Sequence, residues 1–340
     1  MTNGIGEPTI GPFTVKLLQW FDAFGRQLPW RETKDPYAIW LSEIILQQTR
    51  IQQGMDYWLR FMKRWPTVNA LASATEDEIL LEWQGLGYYS RARNLHQAAL
   101  QVKEMGAFPD TMEGLRQLKG VGEYTAAAIG SFAFGLHEAV VDGNVYRVLS
   151  RYFGVETPID TTEGKKEFKA LAQSLLPLGH ASAFNQAIMD FGAIQCTYPS
   201  PKCNVCPFQE SCFAFRKNKT GMLPVKTKKL AIKERHLTYI YIRWNGRTAF
   251  HRRGEGDIWQ GLWEPFLVDN IQECKIKGKL TLVAKQVKHL LTHRVLLVDF
   301  YLLDVDNRPS LPPDYIWIDE RDSTQYAIPR IIEILLGKIK

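Results

Sequence analysis

The chain has 340 residues, a formal net charge of +6 and 45% hydrophobic residues, enough for packed cores in roughly two domains. The first residues, MTNGIGEPTIG, lack a basic-then-apolar signal, and no apolar run approaches the ~20 residues of a membrane span. These properties argue against a secreted or membrane protein and predict a cytoplasmic one, associated with the nucleoid if the source is a bacterium. The mild positive charge favours a polyanionic partner.

The first two predicted elements are helices. An amphipathic helix lies within residues 11–30 and ends near Gly25. The second is predicted over Tyr37–Arg50, with Asp35 as its N-cap and Pro36 at its first position. Because this second helix is apolar on nearly every side, we expect it to be buried between other elements.

Glu43 lies in the middle of that apolar helix. Burial makes a carboxyl group costly to ionise, so its pKa should rise toward the value that a general acid needs near neutral pH. The alternative is a structural carboxylate that pairs with an arginine or caps a neighbouring segment. For a lone glutamate the structural role is the more common one.

Two glycine-containing segments follow. Gly85–Asn94 combines two Gly, two Tyr and two Arg, which is typical either of a loop that stacks on bases and binds phosphate or of a tight turn between helices. Leu118–Ala126 has the form of a helix, a short hairpin at Gly120 and Gly122, and a second helix. The N–H groups of such a hairpin and helix start face an anion, which predicts a helix–hairpin–helix that binds a DNA phosphate.

Two helix caps are predicted near this hairpin. Asp110 and Glu113 have the spacing of a capping box. Asp142 follows an apolar run and precedes a helical one, so it is expected to cap the next helix. Asp142 is also a second carboxylate in the same domain as Glu43, which cleavage of a glycosidic bond requires. A role limited to capping is the alternative for Asp142.

Four of the five cysteines follow a predicted helix at 181–195 and are separated by six, two and five residues. In a reducing compartment such a cluster is more typical of a metal site than of disulfides. The four residues are Cys196, Cys203, Cys206 and Cys212. Their spacing leaves both a [4Fe–4S] cluster and a Zn²⁺ ion open.

The pattern changes after a basic linker at 216–235. Residues 237–244 and 248–252 alternate like strands on either side of an Asn245–Gly246 turn, which predicts a β-hairpin. Further strands are predicted at 295–303 and 315–318, and a final helix at 327–336 after a capping region near Gln325. Residues 236–340 are therefore predicted to form a separate mixed α/β domain.

Several of these segments together resemble one known family, the MutY-type adenine DNA glycosylases. The matching segments are LPWR, DPY, LSEIILQQTR, GLGYYSRARNL, LKGVGEYTA, VVDGNVYRVLSR and FNQAIMDFGAIQC, followed by the cysteine spacing. The resemblance covers about residues 1–225 nearly continuously and the remainder more weakly. It implies a multi-domain protein with an all-α helix–hairpin–helix glycosylase domain at 1–215, a [4Fe–4S] loop at 196–212 and the linker at 216–235. A Nudix-like α/β domain that recognises 8-oxoguanine would occupy 236–340.

The resemblance also implies a reaction and its residues. The family removes adenine mispaired with 8-oxoguanine or guanine from double-stranded DNA, and we expect a monofunctional monomer with no membrane partner. Glu43 matches the general acid that protonates adenine N7, Asp142 the carboxylate that stabilises the oxocarbenium-like sugar, and Tyr124 a residue beside them. The adenine pocket is matched by Arg26, Trp30, Arg31, Leu46 and Gln186. Contacts to DNA are matched by Gln48, Tyr88, Gly120, Gly122, Thr292 and His293.

This chain departs from the family at two places. Leu291-Thr292-His293 stands where the family has Phe-Ser-His, so one aromatic ring is missing beside the oxidised base. Residues 253–290 contain no Nudix-type glutamate array, which implies that this domain reads a base and does not hydrolyse a nucleotide.

Two other functions share some of these features. An endonuclease-III-like glycosylase/lyase would need a lysine nucleophile where this chain has Tyr124. A non-catalytic DNA-binding or redox-sensing iron–sulfur protein would need neither Glu43 in an apolar helix nor Asp142.

Overall fold

The computed structural model describes residues 11–227 and 232–339, which divide into two compact units. One unit comprises the described residues up to Gln48 together with those from Gln101 to the linker. The other comprises Thr49–Leu100 and the described residues from 232 onward. The sequence predicts a helical domain at 1–215 that includes residues 49–100, whereas contacts in the structure group these residues with the sheet. The domain bounds stay a prediction.

Helices dominate the described residues before the linker. In chain order they are α1 (Pro12–Phe24), α2 (Pro36–Leu46), α3 (Ile51–Arg64), α4 (Val68–Ala72), α5 (Glu76–Glu82), α6 (Ser90–Met105), α7 (Met112–Gln117), α8 (Glu123–Phe134), α9 (Gly143–Phe153), α10 (Thr162–Leu175), α11 (Ala181–Asp190) and α12 (Phe213–Arg216), and α13 (Arg330–Leu336) follows the sheet. No helix in the described part of the chain has the length and apolar character needed to cross a membrane.

The predicted start of the Glu43 helix is confirmed and its predicted end is wrong. The Asp35 side chain accepts a hydrogen bond from the Tyr37 N–H at 3.0 Å, and Pro36 opens the helix. The helix stops at Leu46 instead of Arg50, because Gln48 has a left-handed backbone with φ of 56° that an α-helix does not contain.

Two other predicted helix bounds also need correction. The cap of α7 is Thr111, whose Oγ1 accepts from the Gly114 N–H at 3.2 Å, so the predicted Asp110 capping box is wrong by one residue. The predicted helix at 181–195 is α-helical only as far as Asp190 and continues as a π-helical turn over Phe191–Gln195.

The second unit contains a seven-stranded sheet. Its strands are β1 (Lys233–Trp244), β2 (Arg247–Arg252), β3 (Trp263–Glu264), β4 (Phe266–Val268), β5 (Lys279–Leu290), β6 (Arg294–Asp304) and β7 (Tyr315–Asp319). The main order is β3-β2-β1-β6-β5, with β4 paired to β1 and β7 paired to β2. Strands β1 and β6 are parallel, and α13 packs its apolar face against the same core as these strands.

The predicted hairpin is confirmed, since Asn245 and Gly246 have φ of 46° and 71° between paired strands β1 and β2. Strand β5 was not predicted. Its pairing with β6 shifts register twice, and Gln286 has φ of 49°, so the alternation that marks a strand is broken. Helix α13 starts at Arg330 after Pro329, which is later than the predicted start at residue 327.

Candidate active site and cysteine loop

Glu43 is buried where α2 packs against α8. Ile39 of α2 shares an apolar cluster with Ala127 and Ala128 of α8, which brings the first turn of α8 to Glu43. The Tyr124 Oη donates a hydrogen bond to Glu43 Oε2 at 3.0 Å, and Glu43 is only 7% exposed. Burial also raises the pKa of Tyr124 well above its usual value, so its hydroxyl remains a donor at neutral pH.

The surroundings of Glu43 bring its pKa to about 7. Burial raises this pKa most, the hydrogen bond from Tyr124 opposes the rise, the charge of Asp142 adds to it, and the charge of Arg31 lowers it. Glu43 therefore exchanges its proton near neutral pH, as expected from its place in an apolar helix. Since the charge of Asp142 acts on Glu43, the two carboxyl groups are close enough to interact.

Asp142 caps α9, as predicted. Its Oδ1 accepts from the backbone N–H groups of Asn144 at 2.9 Å and Val145 at 2.8 Å, and its Oδ2 accepts from Asn144 Nδ2 at 2.7 Å. Burial raises the pKa of Asp142, and these three hydrogen bonds and the charge of Arg147 oppose that rise. Glu43 receives one hydrogen bond from Tyr124, whereas Asp142 receives three, so the two environments favour different protonation states.

Asp190 joins two of the predicted pocket residues, and the sequence did not single it out. It is fully buried and binds the Arg26 N–H at 2.9 Å and Nε at 3.0 Å. The Arg31 Nη1 and Nη2 donate to it at 2.9 and 2.8 Å, and the Arg26 Nη2 donates as well. Although burial opposes ionisation, the hydrogen bonds from Arg31 and Arg26 hold the pKa of Asp190 below its usual value. Asp190 thereby orients the guanidinium of Arg31, whose charge acts on Glu43.

Asn185 holds the segment that leads to Asp142. Its side chain is fully buried, accepts from the Val140 N–H at 3.0 Å, and donates to Ser131 Oγ at 2.9 Å and the Glu138 carbonyl at 2.8 Å. The sequence signal of this role is weak, because Asn185 is one of several polar residues in α11.

Arg147 connects the cysteine loop to Asp142. Its Nε donates to the Cys196 carbonyl at 2.7 Å, and its Nη2 donates to Asn144 Oδ1 at 2.8 Å. Since Asn144 Nδ2 in turn donates to Asp142, a continuous hydrogen-bonded path joins the loop backbone to the carboxylate.

The glycine hairpin lies between α7 and α8. Gly120 has φ of 77°, a left-handed conformation that favours glycine. Gly122 caps α8 with φ of −87°, and a Cβ placed there would meet no described atom within 4 Å. Contacts among the described residues therefore do not explain why residue 122 is a glycine. An anion that approaches the first turn of α8 would occupy the space that a Cβ would take.

All four clustered cysteines line one cavity, together with Arg151 and Phe208. Arg151 is 1% exposed, and its Nη1 donates to Cys196 Sγ at 3.4 Å and to the Thr197 carbonyl at 2.9 Å. Its Nη2 is buried without a hydrogen-bond partner. Four thiols beside an unpaired guanidinium N–H fit a thiolate-bound group of negative charge.

Among the described residues no group of three or more His, Cys, Asp or Glu side chains is arranged to hold a metal ion. The cysteine spacing therefore leaves both a [4Fe–4S] cluster and a Zn²⁺ ion open.

Other predicted contact residues are distributed over both units. In the first unit Trp30 is buried, Leu46 is half-buried and Gln186 Nε2 donates to Ser182 Oγ at 3.0 Å. Their role in an adenine pocket remains a prediction, as does the DNA contact of Gln48.

In the second unit two of the predicted DNA contacts meet directly. The Tyr88 Oη and the Thr292 Oγ1 share a hydrogen bond. His293 is exposed beside Thr292, in the turn between β5 and β6.

Comparisons with known proteins agree with this architecture. A family model described as HhH-GPD superfamily base excision DNA repair protein matches residues 41–177, and one described as NUDIX domain matches residues 238–338. An adenine DNA glycosylase of Buchnera aphidicola subsp. Baizongia pistaciae (strain Bp) is 33% identical over 341 residues, or 96% of this chain and 97% of the relative.

Two solved structures share the fold of the helical part. A thermostable thymine-DNA glycosylase aligns with a TM-score of 0.56 and 32% identity over 60% of this chain and 95% of its own. An endonuclease III structure in a non-covalent DNA complex aligns with a TM-score of 0.53 and 22% identity over 61% and 96%. These matches confirm the predicted fold class of a helix–hairpin–helix glycosylase with a Nudix-like part.

Proposed function

Since the chain belongs to the adenine DNA glycosylase family and is a DNA glycosylase of base excision repair, we propose that it hydrolyses the N-glycosidic bond of adenine paired with 8-oxoguanine or guanine. It acts as a monomer on double-stranded DNA. The observation that carries this proposal is the pairing of Glu43 and Asp142 in one site with different surroundings. Cleavage of a glycosidic bond uses two carboxyl groups in such different states.

The reaction starts with adenine outside the base stack, which costs a few kcal/mol. Glu43, with a pKa of about 7, gives its proton to adenine N7, and the Tyr124 hydroxyl keeps the carboxyl group oriented. The C1′–N9 bond then breaks, and adenine leaves as a neutral base. The negative charge of Asp142 stabilises the oxocarbenium-like sugar. Water adds to C1′, and its proton returns to Glu43.

Tyr124 also argues against strand cleavage by the enzyme itself. A glycosylase/lyase forms a Schiff base through a lysine amine. At the position of that lysine this chain has a phenol that donates to Glu43. We therefore propose a monofunctional enzyme.

Two residues proposed to contact the distorted duplex have unusual backbones. Gln48 has φ of 56° and Tyr88 has φ of 47°, conformations that cost free energy and concentrate at functional sites. These backbones support the proposed DNA contacts of Gln48 and Tyr88, and the hairpin at Gly120 and Gly122 is proposed to bind a DNA phosphate.

The experiment that tests the proposed function is single-turnover cleavage of a duplex with one adenine opposite 8-oxoguanine, with or without alkali afterwards. Strand breakage only after alkali is the expected result. Breakage without alkali would instead support an endonuclease-III-like lyase. Binding without any breakage would support a non-catalytic protein.

The four cysteines Cys196, Cys203, Cys206 and Cys212 are proposed to hold a [4Fe–4S] cluster, because they line one cavity beside the unpaired N–H of Arg151. When bound, the cluster would clamp the loop that Arg147 connects to Asp142. We expect the purified protein to be brown, with broad absorption at about 400 nm that a Cys212→Ser variant reduces. A colourless protein containing one zinc per chain would contradict the cluster.

Recognition of 8-oxoguanine is assigned to the turn that carries Thr292 and His293. A Thr292→Val variant keeps the shape of the side chain but removes the hydroxyl that meets Tyr88. We expect the excision rate opposite 8-oxoguanine, relative to guanine, to fall about ten-fold, as for the loss of one hydrogen bond, here the one to Tyr88. Thr281→Val, on the exposed part of β5, is the matched control. An unchanged ratio in Thr292→Val would remove this turn from base recognition.

A further inference from the structure

Helices α5 and α6 contact the sheet through charged and polar groups that the proposed mechanism does not use. Arg93 of α6 donates from Nη1 to the Gln260 carbonyl at 2.6 Å and from Nη2 to Gln260 Oε1 at 3.3 Å. Gln260 lies in the turn between β2 and β3, at 257–262 in the same compact unit. One arginine side chain thus binds both the backbone and the side chain of a single turn residue.

Neighbouring contacts support the same interface. The Arg252 Nη2 lies 2.9 Å from Glu76 Oε1 and 2.9 Å from Asp77 Oδ1 at the start of α5. Gly261 leaves little room for a side chain, because a Cβ there would be 3.1 Å from Leu80 Cδ1. The turn at 257–262 is therefore seated closely on α5 and α6.

On the helical side, Arg93 lies one turn from Tyr88. Helix α6 begins at Ser90, and the Arg93 N–H donates to the Tyr89 carbonyl at 3.1 Å. The Arg91 Nη2 donates to the Gly87 carbonyl at 3.2 Å, which ties the strained Tyr88 loop to the same helix. These hydrogen bonds connect the first turn of α6 to the residues on either side of Tyr88.

On the sheet side, the same turn is joined to the hairpin that carries Thr292. Asp257 accepts from the Arg253 Nη2 at 2.6 Å and lies 3.5 Å from the Arg294 Nη1. Arg294 is the first residue of β6, directly after His293. A chain of contacts therefore runs from Tyr88 through α6 and the turn to the hairpin, where the Thr292 hydroxyl meets Tyr88 again.

We propose that Arg93 is a positioning residue that sets the separation of Tyr88 from Thr292 and thereby determines the preference for the damaged base. Arg93 donates two hydrogen bonds to Gln260, so its effect passes through the turn at 257–262. This inference rests on the proposed recognition of 8-oxoguanine by that hairpin.

The test compares Arg93→Ala and Arg93→Lys with the wild type and with Lys63→Ala, an exposed residue of α3 whose loss removes the same charge. Single-turnover excision rates are measured for adenine opposite 8-oxoguanine and opposite guanine. Arg93→Ala is expected to lower the ratio of the two rates about ten-fold, which is about 1.4 kcal/mol. Arg93→Lys, which retains a donor for the Gln260 carbonyl, should recover most of the ratio, and Lys63→Ala should leave it unchanged.

Hydrogen exchange of the free protein provides a readout that does not depend on substrate. Arg93→Ala should accelerate exchange at 257–262 and in the hairpin at 286–294, with α10 unaffected. An unchanged ratio in Arg93→Ala, an equal loss of both rates, or unchanged exchange in the hairpin would each overturn the proposal. If the wild type itself shows no preference for 8-oxoguanine, the proposed base recognition fails. The exchange data would then decide, on their own, whether Arg93 positions the hairpin.

Discussion

A Glu43→Gln protein is expected to bind the mismatched duplex as the wild type does and to release adenine about 10³-fold more slowly. The amide keeps the size of the side chain and can still accept from the Tyr124 hydroxyl, but it has no acidic proton to give to N7. Single-turnover excision and duplex binding, measured on the same preparation, separate the chemical defect from a folding defect.

Glu138→Gln is a suitable control for that substitution. Glu138 is a partly exposed carboxylate of the same unit that pairs with Lys169 at 3.2 Å, so the change is chemically identical but does not touch the buried carboxyl group. Its excision rate should remain close to that of the wild type. Near-normal excision by Glu43→Gln would show that the buried carboxyl group has only a structural role.

The pH dependence follows from the same group. Only protonated Glu43 donates, so the excision rate should be retained below its pKa of about 7 and decline as pH rises through that value. At the acid end the rate should fall when Asp142 takes up a proton and loses its charge. A rate that stays constant from pH 6 to about 9 would contradict proton donation by Glu43.

An Asp190→Leu protein is expected to lose about 3 kcal/mol of unfolding free energy. Asp190 is fully buried and binds the guanidinium groups of Arg26 and Arg31, so removing it leaves two largely desolvated cations without their partner. Arg26 is 29% exposed and recovers some hydration, which places the effect near the low end for broken buried ion pairs. Denaturant unfolding, followed by circular dichroism, measures the change.

Removing the arginines as well distinguishes this explanation from a simple misfit of leucine. In the triple variant Arg26→Met, Arg31→Met, Asp190→Leu, the uncompensated charges are gone, so most of the lost stability should return. Excision should not return with it, because Arg26 and Arg31 are two of the residues proposed to line the adenine pocket. A single Asp190→Leu variant as stable as the wild type would show that this ion-pair group contributes little to the fold.

Several local features of the sequence were enough to predict parts of the fold and site. The apolar helix around Glu43, the cap at Asp142 and the Asn245–Gly246 hairpin each depend on neighbours within a few residues. Such features can be predicted from residue type and spacing, because each one forms within a single helix, helix cap or tight turn. The raised pKa of Glu43 follows from that burial.

The failures lie where local signals compete. The predicted helix includes Gln48, because glutamine as a residue type does not indicate a left-handed backbone. Strand β5 was not recognised because its two register shifts break the alternation. The predicted Asp110 cap is wrong because Thr111, the next residue, has a hydroxyl oxygen that accepts from the Gly114 N–H instead.

Only the tertiary structure decided which distant residues complete the site. Asp190 is 164 residues from Arg26 along the chain, and Arg93 is 167 residues from Gln260. No periodicity links positions so far apart. The sequence by itself singled out the two carboxyl groups, the four thiols and the tight turns as candidates, since each is marked by residue type and local spacing. Folding alone decided that Asp190 orients Arg31 and that helices 49–100 join the sheet, because those contacts form only when remote segments are brought together.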